Sequence, residues 1–463
     1  MIYITRRTPT KIFNEFNNKI IDVSSAVKQL ITLIENSTKV KDRYESLKIL
    51  RIIGDNFENT SIKKEEIFNF FENLLISDTY EKIRNEAALI LRYNFKDKAL
   101  NPLRWALHHE ESQTCLFTIL DSLIAIINNL EKRNVHITKL ILIHEINQID
   151  DNDFKISFQT LSFAKGVKAF TCMELADILI NYFTLIYLKK TYWRLKYTID
   201  SCKIVELDFI FKGLTKLPLA IKHLKALKKL TLRYNQITEI PEWINSLNSL
   251  EYLNLNVNNI NKLPDNIGLL SKLKELLLWK NELQVLPTSI CSLKLLEHLN
   301  LRLNQLALLP NDFGNLINLK TLNLHDNKLT YFPESLSALK DLVALNLSWN
   351  LLTALPSSIN HLLSLKSLDL ERNELVNVPS SIGSLVSLET LNLGDNKLET
   401  IPETIGKLKN LKSLNLSRNK LTVLPESISS LAVLEELYLG ENNFNNYPTF
   451  LKKLEENGLQ IYI

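Results

Sequence analysis

Asparagine returns every 23 residues from Asn235 to Asn442, and proline keeps the same step from Pro218 to Pro448, taking 11 of the chain's 13 prolines. The repeated pattern is LxxLxLxxNxLxxLPxxIxxLxx, with no insertion or deletion between copies. A period this short and strict leaves few folds open. One copy holds too little apolar surface to enclose a core, so copies must stack and share one. Within a copy, LxxLxL alternates as a short strand with one buried face does. The asparagine amide both donates and accepts, so it can satisfy backbone groups buried at the turn. Proline fixes φ at the next bend. PxxIxxL then returns along the outer side with Ile and Leu turned inward, and parallel strands line the inner curve.

On these motifs, residues 204–463 resemble a leucine-rich repeat solenoid of about 11 units. The LPxxIxxL variant is similar to that of intracellular leucine-rich repeat proteins, including Ras-binding scaffolds and Roco-type GTPases. The resemblance implies a horseshoe with parallel strands on its concave face. It also implies a non-enzymatic adaptor that binds a protein or peptide there, with a small GTPase as one candidate partner. The end units depart from the pattern. In IVELDFIFKGLTKLP, Lys212 stands where the asparagine should be, and FLKKLEENGLQIYI reads as an amphipathic helix, a turn at Asn457–Gly458 and a closing strand.

The first half carries a different period. Residues 1–23 read as an N-terminal extension. Residues 24–130 show paired helical patterns: Ser25–Glu35 with Lys41–Ile53, Lys64–Ile76 with Tyr80–Tyr93, and Leu100–His109 with Thr114–Asn128. The run YEKIRNEAALILRYNFKDKALNPLRWALHHEES, with Arg84, Glu86 and Ala87, resembles a HEAT-type repeat; a plain helical bundle is the alternative. Residues 131–203 read as a mixed α/β adaptor or cap. ITKLILIHEI and DFKISFQTL are expected as strands, Met173–Leu188 as a helix, and YWRLKYTIDSCKIVELDF as strands leading into the first unit. The fold class expected is therefore an α/β solenoid preceded by an all-α HEAT-like domain.

Composition narrows the function. The net charge is +4, all of it carried by residues 1–203, which suits neither a nucleic-acid surface nor a polybasic membrane surface. Apolar stretches such as Ala176–Leu188 fall short of the roughly 20 residues a spanning helix needs, so no membrane insertion is expected. MIYITRRTPTKIF lacks the apolar core of a secretory signal. Cys115, Cys172, Cys202 and Cys291 show no paired spacing and read as reduced thiols of a cytosolic protein. No phosphate-binding loop, GxSxG, HExxH or kinase signature occurs, so neither catalysis nor a cofactor is expected. His108 to Glu111 read as a solvated helix end, since adjacent histidines on a helix point about 100° apart. Asp150 to Asp153 lack the glycine and terminal glutamate of a calcium loop and read as an acidic turn. His298 and His325 fall in different columns with no third ligand near them.

If each unit is numbered from LxxLxLxxN, positions 3, 5 and 7 point away from the core and position 8 sits at the turn. Adjacent strands are about 4.8 Å apart, so each position forms a stripe. Position 5 is mostly Asn, expected as a ladder of amides bonded from unit to unit. In KELLLWKNELQVLP, however, Leu277 and Trp279 replace polar residues at positions 5 and 7, while every core position is kept. Bulky residues gather in units two to seven: Arg233, Tyr234, Tyr252, Leu277, Trp279, His298, Arg302, His325 and Trp349. Tyr, Trp and Arg dominate binding hot spots, and these nine are the expected partner-binding residues. Structural alternatives are that Leu303 and Trp349 fold over the adjacent loop and that Tyr234 packs on Tyr252. A further reading of function is a substrate-receptor subunit of a separate enzyme, such as a ligase complex.

Overall fold

A computed structural model describes residues 7–131, 135–444, 449–456 and 458–463. Pro448 and Asn457, expected in the last bend and turn, lie outside the described residues. The chain divides into two compact units. One holds residues up to Thr191 with Ile199–Lys203 and Leu219–Ile221; the other holds Tyr192–Thr198, Ile204–Pro218 and Lys222–Ile463.

The first unit is helical. Its helices are α1 (Pro9–Asn17), α2 (Val23–Asn36), α3 (Val40–Ile53), α4 (Lys64–Ser77), α5 (Glu81–Ile90), α6 (Leu100–His109), α7 (Gln113–Glu131), α8 (Val135–Asn147), α9 (Asn152–Lys165) and α10 (Cys172–Thr191). The expected pairs appear as α2 with α3, α4 with α5, and α6 with α7, because each presents an apolar stripe at helical spacing. Within the expected extension, α1 starts on a Thr8 cap with proline in its first turn, and Ile12 is fully buried.

The two segments expected as strands are helical: Ile137–Ile146 falls in α8 and Asp153–Leu161 in α9. Short apolar runs do not distinguish a strand from a buried helix, and here an N-cap decides. Asp151 accepts a hydrogen bond from the Phe154 N–H and starts α9. It also pairs with Lys189 at 3.0 Å, so part of the acidic turn is structural. The expected solvated end after α6 is likewise partly buried. Arg84 forks onto both carboxylate oxygens of Glu110 at 2.7 and 2.8 Å and also donates to the Asp78 carbonyl. Burial opposes ionisation of Glu110, but its hydrogen bonds from Arg84 and the Ser112 N–H prevail and hold its carboxyl below the ordinary range.

The described strands run in chain order, each hydrogen-bonded to the next. After β1 (Lys196–Asp200) and β2 (Lys203–Asp208) come ten three-residue strands at the 23-residue step, from β3 (Lys229–Thr231) to β12 (Glu436–Tyr438). The expected cap then follows as α11 (Thr449–Glu456) and β13 (Gln460–Tyr462). Pairing from β2 onward is parallel and in register, so Leu207, Leu230, Leu253 and Leu276 stack in one column. Short 3-10 turns after each proline bury Ile244, Ile267 and Ile290 from the outer side. None of the four cysteines is in a disulfide, and all four are buried.

The repeated asparagine bridges units. Asn258 donates to the carbonyls of Leu255 in its own unit and Leu232 in the preceding one, while its oxygen accepts the Ile237 N–H. The same set recurs from Asn235 to Asn442. One feature is absent from the sequence pattern. Position 8 is left-handed in every unit, with φ between 52° and 58°, yet it is never glycine. The conformation turns the chain out of the sheet while the position-8 N–H stays bonded to the next unit, as in Val257 N–H to Trp279 O at 2.7 Å. Left-handed backbone costs an L-residue about 1–2 kcal/mol and is worst for a β-branched one. Val257→Asn is therefore expected to raise the unfolding free energy by about 1 kcal/mol, since asparagine tolerates this region. Urea denaturation checks it; a lowered midpoint would contradict the strain.

Candidate functional site: the concave face of the solenoid

The strands leave positions 3, 5 and 7 on the open face. Position 5 does not form the expected continuous amide ladder; Asn346 donates to Asp369 of the next unit at 3.1 Å, but this cross-unit bond is not repeated along the column among the described residues. The position-5 side chain instead accepts the N–H two residues on, as in Asn300 to Arg302 N, Asn323 to His325 N and Asn415 to Ser417 N. A short polar side chain followed by a turn favours this local bond over a cross-strand one. Asp208 and Asp369 serve equally well because only an acceptor is required.

Unit four breaks this rule. Leu277 has no acceptor to offer, and the Trp279 N–H is taken by the Asn256 side chain of the preceding unit at 2.8 Å. The scaffold thus stays satisfied while an apolar side chain is set on the open face. Leu277 is half-buried and lines a hollow of about 420 Å³ with Glu275, His298, Asn300, Asn323, Asn346 and Asp369. Small side chains at position 3 (Thr321, Ala344, Ser367) give the hollow its depth. Of these residues Leu277 and His298 are expected from the sequence as partner-binding; the run of small residues at position 3 is the signal for the others.

The nine expected residues form several groups. Leu277 and His298 line the hollow, and His298 Nδ1 lies 2.8 Å from the Thr321 hydroxyl. Trp279 and Arg302 meet at the turn edge, the guanidinium 5.8 Å from the ring centre. The Trp279 indole N–H is buried and has no acceptor among the described residues. Arg233 lies 5.7 Å over the Tyr234 ring. Tyr234 stacks on Phe211 at 4.6 Å rather than on Tyr252, whose hydroxyl accepts from Asn254. Trp349 is 43 % exposed, covered on one face by Arg372 at 3.9 Å and flanked by His325 at 6.0 Å. His325 also contacts the Ser348 hydroxyl at 2.7 Å. Partial burial, then the nearby Arg302 charge, pushes its pKa down and keeps the imidazole neutral. The two histidines bond to different hydroxyls, and no group of three metal-ligating side chains occurs among the described residues.

Ion pairs divide the face. At position 2, on one edge, charges alternate and neutralise each other: Glu251 with Lys274 at 2.8 Å, Glu297 with Lys320, and Glu389 with both Lys366 and Lys412. The two lysines hold the Glu389 pKa at about 2. At the opposite, turn edge, Arg372 pairs with Asp395 and Arg418 with Glu441. Arg233, Lys280 and Arg302 on that same edge have no ion pair among the described residues.

Family models agree with this architecture. One described as a leucine-rich repeat region matches residues 242–356 and 353–457, and one described as a leucine rich repeat matches 213–260. Among solved structures, an LRR protein of Leptospira interrogans is 30% identical, covering 54% of this chain and 82% of its own, with a TM-score of 0.34. A TDR receptor is 29% identical over 56% of this chain and 46% of its own, with a TM-score of 0.51. The plant peptide hormone receptor RGFR1, solved in complex with RGF2, is 29% identical over 49% and 42%, with a TM-score of 0.42. This chain thus spans less than half the length of the two receptors. No curated protein matches. The family models together span more than half of the residues, and the chain belongs to the leucine-rich repeat family.

Proposed function

We propose that this chain is a non-enzymatic adaptor whose concave face, over units two to seven, receives a protein or peptide partner. The observation that carries this reading is unit four. There the solenoid gives up its local position-5 cap, repairs the loss from Asn256, and gains Leu277 in the hollow and Trp279 at its edge. Stability alone gives no reason for that exchange, since asparagine or aspartate serves at most other copies of the position. Apolar side chains ringed by amides and carboxylates suit a protein surface, whose core contacts are apolar and whose rim is hydrogen-bonded. Membership of a repeat family built for interaction supports the same conclusion. A cytosolic setting is part of the proposal and is supported by four buried cysteines that form no disulfide.

The test uses Leu277→Asn with Trp279→Ala on the full chain, in affinity capture from cells that express it. Leu277→Asn restores the cap found in neighbouring units, so the variant should fold with an unchanged melting curve. Proteins captured by the parent chain should be depleted about tenfold by the variant, as hot-spot losses of at least about 1.4 kcal/mol imply. Equal recovery by a variant that melts normally would sink the assignment.

A further inference from the structure

The reading of a concave-face partner leaves its chemistry open, and the turn edge addresses it. We propose that the edge of units two to five binds an acidic segment of the protein partner, its carboxylates on Arg233, Lys280 and Arg302 and its apolar or aromatic side chains against Tyr234 and Trp279. This rests on the concave-face reading and specifies where on that face the partner lies and what charge it carries.

Charge distribution carries the inference. Exposed cations are ordinary on a protein surface, and one without a partner signifies little. Here the same solenoid shows a rule and a departure from it. Arg372 and Arg418 each meet a carboxylate in the next unit of the same column. The position-2 edge neutralises itself through the pairs described above. Positions 7 and 8 of units one to five read Ile210, Phe211, Arg233, Tyr234, Asn256, Val257, Trp279, Lys280, Arg302 and Leu303, with no carboxylate among them. Of the nearby carboxylates, Glu239 pairs with Lys216 and Glu282 accepts from Asn259, whereas Asp326 at position 8 of unit six has no ion pair among the described residues. Three cations against that one carboxylate at the end of the edge leave a net positive field.

The neighbours of these cations suit a peptide. Arg233 lies over Tyr234 and Arg302 approaches Trp279, so each guanidinium has a flat apolar surface beside it. Such a pair accepts a carboxylate at the cation and packs the next side chain on the ring. Glu275 lies across the strand, on the hollow side. An acidic segment therefore runs along the turn edge rather than down into the hollow. From unit two to unit five is about three strand steps, or roughly 14 Å, which four to five residues of extended chain cover at about 3.3 Å each.

The probe is a fluorescein-labelled peptide of repeated Glu-Glu-Tyr, with Lys-Lys-Tyr as its charge-inverted control. Binding to the full chain is followed by fluorescence anisotropy at low and physiological salt. The acidic peptide should bind and weaken as salt rises, and the basic one should not bind. Arg233→Glu with Lys280→Glu and Arg302→Glu should weaken binding at least about tenfold, while Arg372→Glu with Arg418→Glu should change it less than about threefold. Failure of the acidic peptide to bind, or equal loss from both variants, overturns the proposal. Affinity capture separates this failure from that of the broader reading. If the Leu277 and Trp279 variant loses captured proteins and the triple charge variant retains them, the concave face still binds a partner but not through these cations.

Discussion

Replacing Asn304 with alanine is expected to lower the unfolding free energy of the solenoid by about 2–3 kcal/mol. Asn304 is 8% exposed and its amide meets the carbonyls of Leu278 at 3.0 Å and Leu301 at 2.9 Å and the N–H of Leu283 at 3.1 Å, with a longer bond to the Arg302 carbonyl at 3.3 Å. Alanine leaves the Leu283 N–H buried without its acceptor, which costs about 1–3 kcal/mol, and takes one of two amide donors from each carbonyl, since Asn281 still donates to Leu278 and Asn327 to Leu301. Asn304→Asp should be no better, because a carboxylate would face two carbonyls it cannot donate to. The comparison residue is Asn300, four positions earlier. It is half-exposed and accepts one bond, from the Arg302 N–H. Water can replace that bond, so Asn300→Ala should cost under about 1 kcal/mol. Urea denaturation of the two variants decides the matter, and equal costs would show that the asparagine bridge is not what joins the units. Because each unit contacts only its neighbours, the Asn304 variant is also expected to open at unit five before the rest, visible as a broadened transition.

These two asparagines also show what the sequence could reveal. Asn304 was legible because its 23-residue period and its place before a bend point to buried backbone groups. Asn300 was legible as a column, but its partner was not. Whether a side chain bonds across strands or to its own backbone depends on the local turn, and the repeat pattern does not record that turn. The left-handed position 8 was hidden for a related reason. Glycine and asparagine usually mark such backbone, whereas here Tyr234, Val257 and Leu303 adopt it because the ladder hydrogen bonds outweigh the local preference. In the helical unit, the apolar runs of α8 and α9 are too short for their period to distinguish helix from strand. The partner of Arg84 lies 26 residues away in sequence, beyond any local pattern. At the candidate site, Leu277 and Trp279 stood out against their columns, but the hollow beside them did not, because it is made by small residues two and three units further on.

Gly268→Ala is expected to cost about 2 kcal/mol, within the range for overfilling a packed interior. A Cβ at Gly268 would lie 2.0 Å from the Ser289 carbonyl oxygen of the next unit, and a flexible side chain moving aside cannot relieve that clash because the atom belongs to backbone. Gly314, Gly383 and Gly406 stand in the same column and meet the equivalent carbonyls at 2.3–2.4 Å. The 3-10 turn carrying Ser289 cannot simply retreat, because Ile267 and Ile290 on either side of the contact are fully buried. Not every unit has this constraint: Cys291 and Ser337 occupy the column with side chains of their own, so the turns there accommodate a Cβ. Cys291→Ala should accordingly cost less than about 1 kcal/mol, as a small change at a site already shaped for a Cβ. Measuring both variants by denaturant unfolding separates two causes. If glycine is present for close approach of the turns, Gly268→Ala destabilises and Cys291→Ala does not. If Gly268→Ala is neutral or stabilising, the turns can slide apart at little cost, and the spacing of the outer side is set by the strands and the asparagine bridges alone.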